Sequence, residues 1–505
     1  MRDRIVSEEI EWLCSFIRRD PKSGWVEYGL SPNEAIYSAL KQKHAPHSYS
    51  DLYLRNGSRF YTDTGGHLET ALPECTGPKE VLKYEKWSER LMCWIAKEFR
   101  SVGEYVFHKK NCGDNLAHSR GCHENYQSDA VFGTWLNESA KILNNSQNPV
   151  IDKRMNYLVS FLITRQILTG SGGIMLYSRI NRGPDRYVIS PRTHFINTVF
   201  SSATTEAAGD KRAIINIRDQ PLADTDRYWR NHFILGDANM SEIATFLKLG
   251  VTSCILEMIE EGYYNENLCL YNITEAVGLL KRISKDLTLR NVGIRLADGV
   301  YYNVLEVQEK FFEDIKRYLE YTSHGSEKLE ILERGQEVLA CLKRDDEKSY
   351  SQSDWKIKLR MIQKYMNAKS LPLNHPRIRA LDLNYHSPDP EKSLYYFLKN
   401  RAGSQIESLV SESEISDADK FPPLSRAKLR VFTQKLCDEL GLPYYVSWNC
   451  CAFRVGRIME SSMFYEKKLW MPDPKAFSVL ALNLEKNFDA INYLNSLKPN
   501  AIVIT

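Results

Sequence analysis

The chain has 505 residues, with 67 Lys plus Arg against 64 Asp plus Glu and a formal net charge of +3, which leaves no electrostatic footprint for duplex nucleic acid. The length exceeds what one hydrophobic core serves, so a large domain with a smaller companion is expected. No apolar run reaches the roughly 18 residues of a membrane helix, and residues 1–14 carry Arg and Glu where a secretory signal would be apolar, so no membrane partner and a cytoplasmic location are expected.

In chain order, the first alternation of apolar and polar residues spans 5–16 and reads as a strand. Within it Glu9 and Glu11 would share a face, a costly pairing of like charges unless a hard cation such as Mg²⁺ neutralises it. The other reading puts Glu8, Glu9 and Glu11 on the exposed face of an amphipathic helix. A helix over 31–40 then precedes the stretch RNGSRFYTDTGGHLET, residues 55–70. On a strand at 58–64, Arg59, Tyr61 and Asp63 project to one side, and His67 and Glu69 repeat the spacing. Asn56 and Gly57 signal a turn before it, and Gly65 and Gly66 allow a tight backbone approach after it. One sheet face thus collects a cation, a phenol and carboxylates.

A helix over 79–98 follows, then GCHENY at 121–126, which as a strand sets His123 and Asn125 on one face and Glu124 on the other. Cys112, His118, Cys122 and His123 match no standard zinc spacing, and the 11 cysteines contain no C-x-x-C pair, which fits reduced thiols. The Asn-rich segment 127–149 reads as a surface excursion, as does 344–353. A helix at 156–168 leads to TGSGG at 169–173, which lacks the lysine of a phosphate-binding loop. Protein-kinase motifs are absent too, so any ATP must be held by a sheet with metals and arginines.

Strands are expected at 187–189 and 212–217. In RNHFILGDANMSE, residues 230–242, His232 precedes an apolar strand, and Asn239 or Ser241 can cap a helix at 241–260. Further helical periodicity covers 273–287, 307–322 and 354–366. The acid- and serine-rich break at 411–423 is taken as a boundary, giving a catalytic domain 1–420 and a small α+β domain 421–505 with a helix at 426–440, a strand near 444–448 and an apolar close at 501–505. The fold class is α+β.

The stretches LRNGSRFYTDTGGHLETALPECTGP, GCHENYQ, VFSSATTEA, AIINIRDQPLADTDRYWRNHFILGDANMSEIATFLKLG, RALDLNYH and LSRAKLR together resemble the Pup ligases and the related depupylases, whose catalytic domain is glutamine synthetase-like. The resemblance spans almost the whole chain. It implies that Asp63 is the catalytic base, that Arg59 contacts ATP phosphate, and that Glu9, Tyr61 and Glu69 bind magnesium. It also places Glu11 beside the metal, lines the metal and nucleotide site with His123 and His232, and brings Trp448 to the nucleotide base. His123 is counted with the metal ligands, and Glu11 and His232 with the nucleotide contacts. Arg218 is a candidate for holding the transferred phosphoryl group, or else pairs with Asp219.

The implied cofactors are ATP and two or more Mg²⁺ ions, and the implied partners are a Pup-like modifier and lysine-bearing proteins. The sequence departs from the family pattern at Ser7 and Leu13, where glycines are usual, at Leu72 in place of a threonine, and at Gln220 and Leu222. The connection from the helix at 31–40 to Asp63 is too short for the long loop of depupylases, which favours a ligase. The alternatives are a depupylase or deamidase, or a ligase or kinase acting on another carboxylate.

Overall fold

The computed structural model describes residues 4–19, 26–29, 33–48, 51–63, 66–101, 103–113, 119–180, 182–203, 211–218, 220–346, 348–457, 464–471, 473–475 and 502–503. The elements of the first half are β1 (Val6–Arg19), β2 (Val26–Gly29), α1 (Asn33–His44), β3 (Leu52–Tyr53), β4 (Arg59–Thr62), β5 (Leu68–Ala71), α2 (Pro78–Glu98), β6 (Glu104–His108), β7 (Cys122–Asp129), α3 (Ala130–Asn145), α4 (Lys153–Thr164), α5 (Gln166–Thr169), β8 (Gly173–Met175), β9 (Arg186–Val188), β10 (Thr198–Ser201), β11 (Ala213–Asn216) and β12 (Tyr228–Phe233). The helical half follows with α6 (Glu242–Glu260), α7 (Ala276–Lys285), the small pair β13 (Ile294–Arg295) and β14 (Tyr301–Tyr302), α8 (Val304–Tyr321), α9 (Ser326–Arg344), α10 (Ser349–Gln352), α11 (Asp354–Lys369), α12 (Pro376–Asn384) and α13 (Leu394–Asn400). The chain closes with α14 (Glu412–Lys420), α15 (Arg426–Glu439), β15 (Tyr444–Val446), β16 (Cys450–Arg457), β17 (Phe464–Trp470) and β18 (Ile502–Val503).

β1 is the hub of the main sheet, whose order is β10-β11-β12-β7-β1-β5-β4-β3, with β2 and β6 also paired to β1. Its strict alternation explains why. Glu8, Ile10 and Trp12 turn to the helical side and are buried, and Glu8 meets Lys248 of α6 at 2.8 Å. Ser7, Glu9 and Glu11 therefore face the other way. α6 is buried over nearly its whole length and is capped by Ser241, whose side chain accepts from the Ala244 N–H. No described helix is long and apolar enough to cross a membrane.

Two sequence expectations fail locally. Residues 127–149 are not an excursion: β7 continues to Asp129 and α3 follows, burying Phe132, Leu136 and Ala140. The asparagines that suggested a loop gather at the end of α3, while its apolar residues recur at helical spacing. The acid- and serine-rich break likewise contains a helix, because Ser411 and Glu414 form a capping box at the start of α14. That helix is bound to α2 through Lys83–Glu414 at 3.2 Å and Trp87 to Asp419 at 2.7 Å. Of the expected apolar close, only 502–503 lies among the described residues, paired in parallel with β17.

The small C-terminal sheet is joined to the hub by a buried cluster. Arg426 and Arg430, one turn apart on α15, meet the Glu74 carboxylate at 2.7 and 2.8 Å, and Arg430 also donates to the Gly57 carbonyl at 3.0 Å. Gly57 sits at φ +89°, and a Cβ there would lie 3.0 Å from that of Ala427, so the Asn-Gly turn is needed for this approach. Burial alone would raise the Glu74 carboxyl, but Arg430 and Arg426 draw it down to about 2. Its contribution is therefore complete above the ordinary value of 4.5 and is lost as the pH falls toward 2. Urea denaturation at neutral pH should show Glu74→Ala destabilised by about 3–5 kcal/mol, since two guanidinium groups stay buried without their carboxylate. The gap to wild type should narrow on acidification through that window.

Candidate active site

The polar face of β1 meets its neighbours in a register that gathers the chemistry. Glu11 stands opposite Glu69 of β5, Glu69 opposite Tyr61 of β4, Glu9 opposite His123 of β7, and Asn125 of β7 opposite His232 of β12. The Glu9 Oε2 atom lies 3.4 Å from His123 Nδ1 and 3.5 Å from His232 Nε2, and its Oε1 lies 3.7 Å from Arg230. The two imidazoles pack edge to face at 5.0 Å. On the far side of the hub, His67 Nδ1 is 3.0 Å from Glu11 Oε2 and 3.8 Å from Asp63 Oδ1.

The electrostatics follow from crowding carboxylates in a buried place. Burial would raise Glu9, yet its hydrogen bonds to His123 and His232 and the charge of Arg230 hold it well below the usual range. Glu11 likewise falls to about 2 against its burial, through His67, His123 and Arg192. Glu69 is relieved only by a hydrogen bond from Tyr61. Burial and the charges of Glu9 and Glu11 drive it well above the ordinary value, and Tyr61 is pushed up by burial, Glu9 and Glu69. His232 is held neutral, down to about 3, by burial and Arg230.

This donor set fits a hard divalent cation. Ligand atoms of Glu9, His123 and His232 come within 4.8 Å of one another, as do those of Glu11, Asp63 and His67. A cation would relieve the mutual repulsion that Glu69 registers. Glu9, His123 and His232 form one group that could hold it, and Glu11, Asp63 and His67 the other.

Beside this face opens a cleft lined by Ser7, Glu9, Asn125, Leu222, Arg230 and Trp448 among others. Trp448 packs edge-on against Tyr53 at 5.3 Å and beneath the Arg430 guanidinium at 5.0 Å, so the C-terminal segment supplies one wall. Ser7, standing where the family has glycine, turns its hydroxyl to the Leu72 carbonyl at 2.8 Å. Leu222 holds a left-handed φ of +50° at the cleft, and its carbonyl accepts from Arg426 at 2.6 Å.

Arg59 lies over the Tyr61 ring at 4.1 Å with its guanidinium on Asp51 at 2.5 Å. Arg218 stands past the end of β11, its N–H donating to Asn216 Oδ1 at 2.8 Å, and Asp219 lies outside the described residues. Cys112 and Cys122 are both buried, the latter within hydrogen-bond reach of Glu8 and Lys248, while His118 lies outside the described residues. Sequence reasoning missed Arg192 and Arg230. Arg192 is buried and reaches His123 Nε2 at 3.3 Å and Ser119 at 2.7 Å. Arg230 shares the face of His232 two residues on, a period-two signal that was available.

The pattern of the family described as Pup-ligase protein matches residues 14–452. The chain belongs to this family. Curated relatives include the Pup–protein ligases of Acidimicrobium ferrooxidans, 33% identical over 427 residues covering 83% of this chain and 87% of the relative, and of Kineococcus radiotolerans, 33% identical over 430 residues covering 83% and 88%. Among solved structures, the complex between the prokaryotic ubiquitin-like protein Pup and its ligase PafA matches with a TM-score of 0.78 at 27% identity, covering 98% of this chain and 92% of that one. The Pup ligase PafA in complex with ADP matches with a TM-score of 0.72 at 27% identity, covering 93% and 96%. The α+β fold is therefore that of the Pup ligases.

If the clustered carboxylates hold a cation only in the folded state, Mn²⁺ must raise the melting temperature of the wild type. The rise should be smaller in Glu69→Ala, with Mn²⁺ affinity weakened about tenfold or more in calorimetric titration.

Proposed function

We propose that this chain is an ATP-dependent ligase that joins the side-chain carboxylate of the C-terminal Glu of Pup to a lysine of a target protein. The proximity of Asp63, at the end of β4, to Glu11 and His67 carries this reading, because it sets a carboxylate base beside the face that would hold ATP and metal. In this reading Trp448 and the cleft take the nucleotide, and Arg59, released from Asp51, and Arg218 contact its phosphates. Magnesium bound among Glu9, Tyr61, Glu69 and His123 would neutralise phosphate charge.

The Pup carboxylate oxygen attacks the γ-phosphorus, the bond to the β-phosphate oxygen breaks, and ADP leaves an acyl phosphate. Asp63 then takes a proton from the lysine ammonium. The freed amine attacks the acyl carbon, the carbon–oxygen bond to phosphate breaks as the isopeptide bond forms, and the amine's second proton leaves with the departing phosphate. His123, His232 and Arg230 hold Glu9 in its ionised form. The eleven cysteines are all free thiols, consistent with work in the cytoplasm.

Incubation with ATP, Mg²⁺, Pup and a lysine-bearing protein should add the mass of Pup to the target, read by intact mass spectrometry, with ADP released. Asp63→Asn should keep ADP affinity within about twofold and lose conjugation by about 10²–10⁴-fold. Conjugation by that variant at the wild-type rate would remove Asp63 from the role.

A further inference from the structure

We infer that His67 is a positioning residue for Asp63, gripping the base from its main chain while its own ring is anchored to Glu11. The inference rests on the reading of Asp63 as the base. Asp63 directly follows β4 and His67 directly precedes β5, so the two close the hairpin. They exchange hydrogen bonds: the Asp63 N–H donates to the His67 carbonyl at 3.0 Å, and the His67 N–H donates to Asp63 Oδ1 at 3.0 Å. Gly66, at φ +77°, donates its N–H to the Asp63 carbonyl at 3.0 Å, a turn that a side chain would strain. One oxygen of the Asp63 carboxylate is thus held by the backbone at His67.

The main sheet is one support for this hairpin, through β1 and β3, although Asp63 and His67 lie just beyond its last register pair, Thr62 and Leu68. The His67 ring supplies a second one. Its Nδ1 lies 3.0 Å from Glu11 Oε2, and an ionised carboxylate can only accept, so the imidazole N–H donates. Glu11 is buried in the hub strand directly opposite Glu69. The His67–Glu11 bond therefore fixes how far the hairpin tip stands from the acidic face, and with it the distance from the base to the acyl phosphate.

Phosphoryl transfer and amine attack can be read separately. Hydroxylamine is uncharged at neutral pH and traps the acyl phosphate as a hydroxamate without help from a base. In His67→Ala, kcat for lysine conjugation should fall about 30–100-fold, while the KM for ATP stays within about twofold and hydroxamate yield within about threefold. His67→Asn, whose amide N–H superposes on the imidazole Nδ1–H, should return conjugation to within about fivefold of wild type.

Wild-type conjugation by His67→Ala would overturn the inference, as would an equal fall in hydroxamate and conjugate or a failure of His67→Asn to restore activity. Rescue of His67→Ala by raising Mg²⁺ would make His67 a metal ligand instead and equally overturn it. Asp63→Asn run alongside separates the two readings: if it conjugates normally the base itself is misassigned, and if it is dead while His67→Ala is normal only the positioning role falls.

Discussion

Everything in this structure bends around one electrostatic fact: the central strand and its neighbours bring Glu9, Glu11 and Glu69 to a single buried face. Water would screen them, but Glu11 and Glu69 are buried and Glu9 is half-buried at the cleft, so the screening is only partial. The protein answers with imidazoles, Arg192 and Arg230 around Glu9 and Glu11. Glu69 is left unbalanced, its carboxyl driven upward by burial and then by the charges of Glu9 and Glu11. That imbalance is what a divalent cation bound with a polyphosphate would correct, and it turns an arrangement costly to folding into a binding site.

The hub strand also explains why the site and the core cannot be separated. Its odd-numbered acids serve the cleft, while Glu8, Ile10 and Trp12 on the opposite face are sealed against the helices, Glu8 by its ion pair with Lys248. A slip of one residue in register would bury the acids and expose the core. The C-terminal segment is tied into the same frame through Glu74, just beyond β5, so the wall carrying Trp448 is referenced to the strand that carries Glu69.

Much of this was legible in the sequence, for a physical reason. Period-two alternation offered the shared face of Glu9 and Glu11 as one of two readings and grouped Arg59 with Tyr61 on what is β4, while Asp63 falls just past that strand. The alternative of an exposed helix for Glu8, Glu9 and Glu11 fails because Glu8 is buried on the opposite face. Composition misled where it competed with periodicity. The asparagines of 144–148 hid α3, and the acids and serines of 411–414 looked like a linker although they form a helix cap. Arg192 could not have been found, since it comes from a short 3₁₀ turn far along the chain and meets His123 only through tertiary packing.

The claim that the acidic face is a cation site can be tested without reference to turnover. Crystals grown with Mn²⁺ and ADP should show anomalous scattering from manganese within about 2.5 Å of oxygens of Glu9, Tyr61 and Glu69, beside a nucleotide in the Trp448 cleft. Manganese found elsewhere, with those side chains still in contact only with protein groups, would contradict the account.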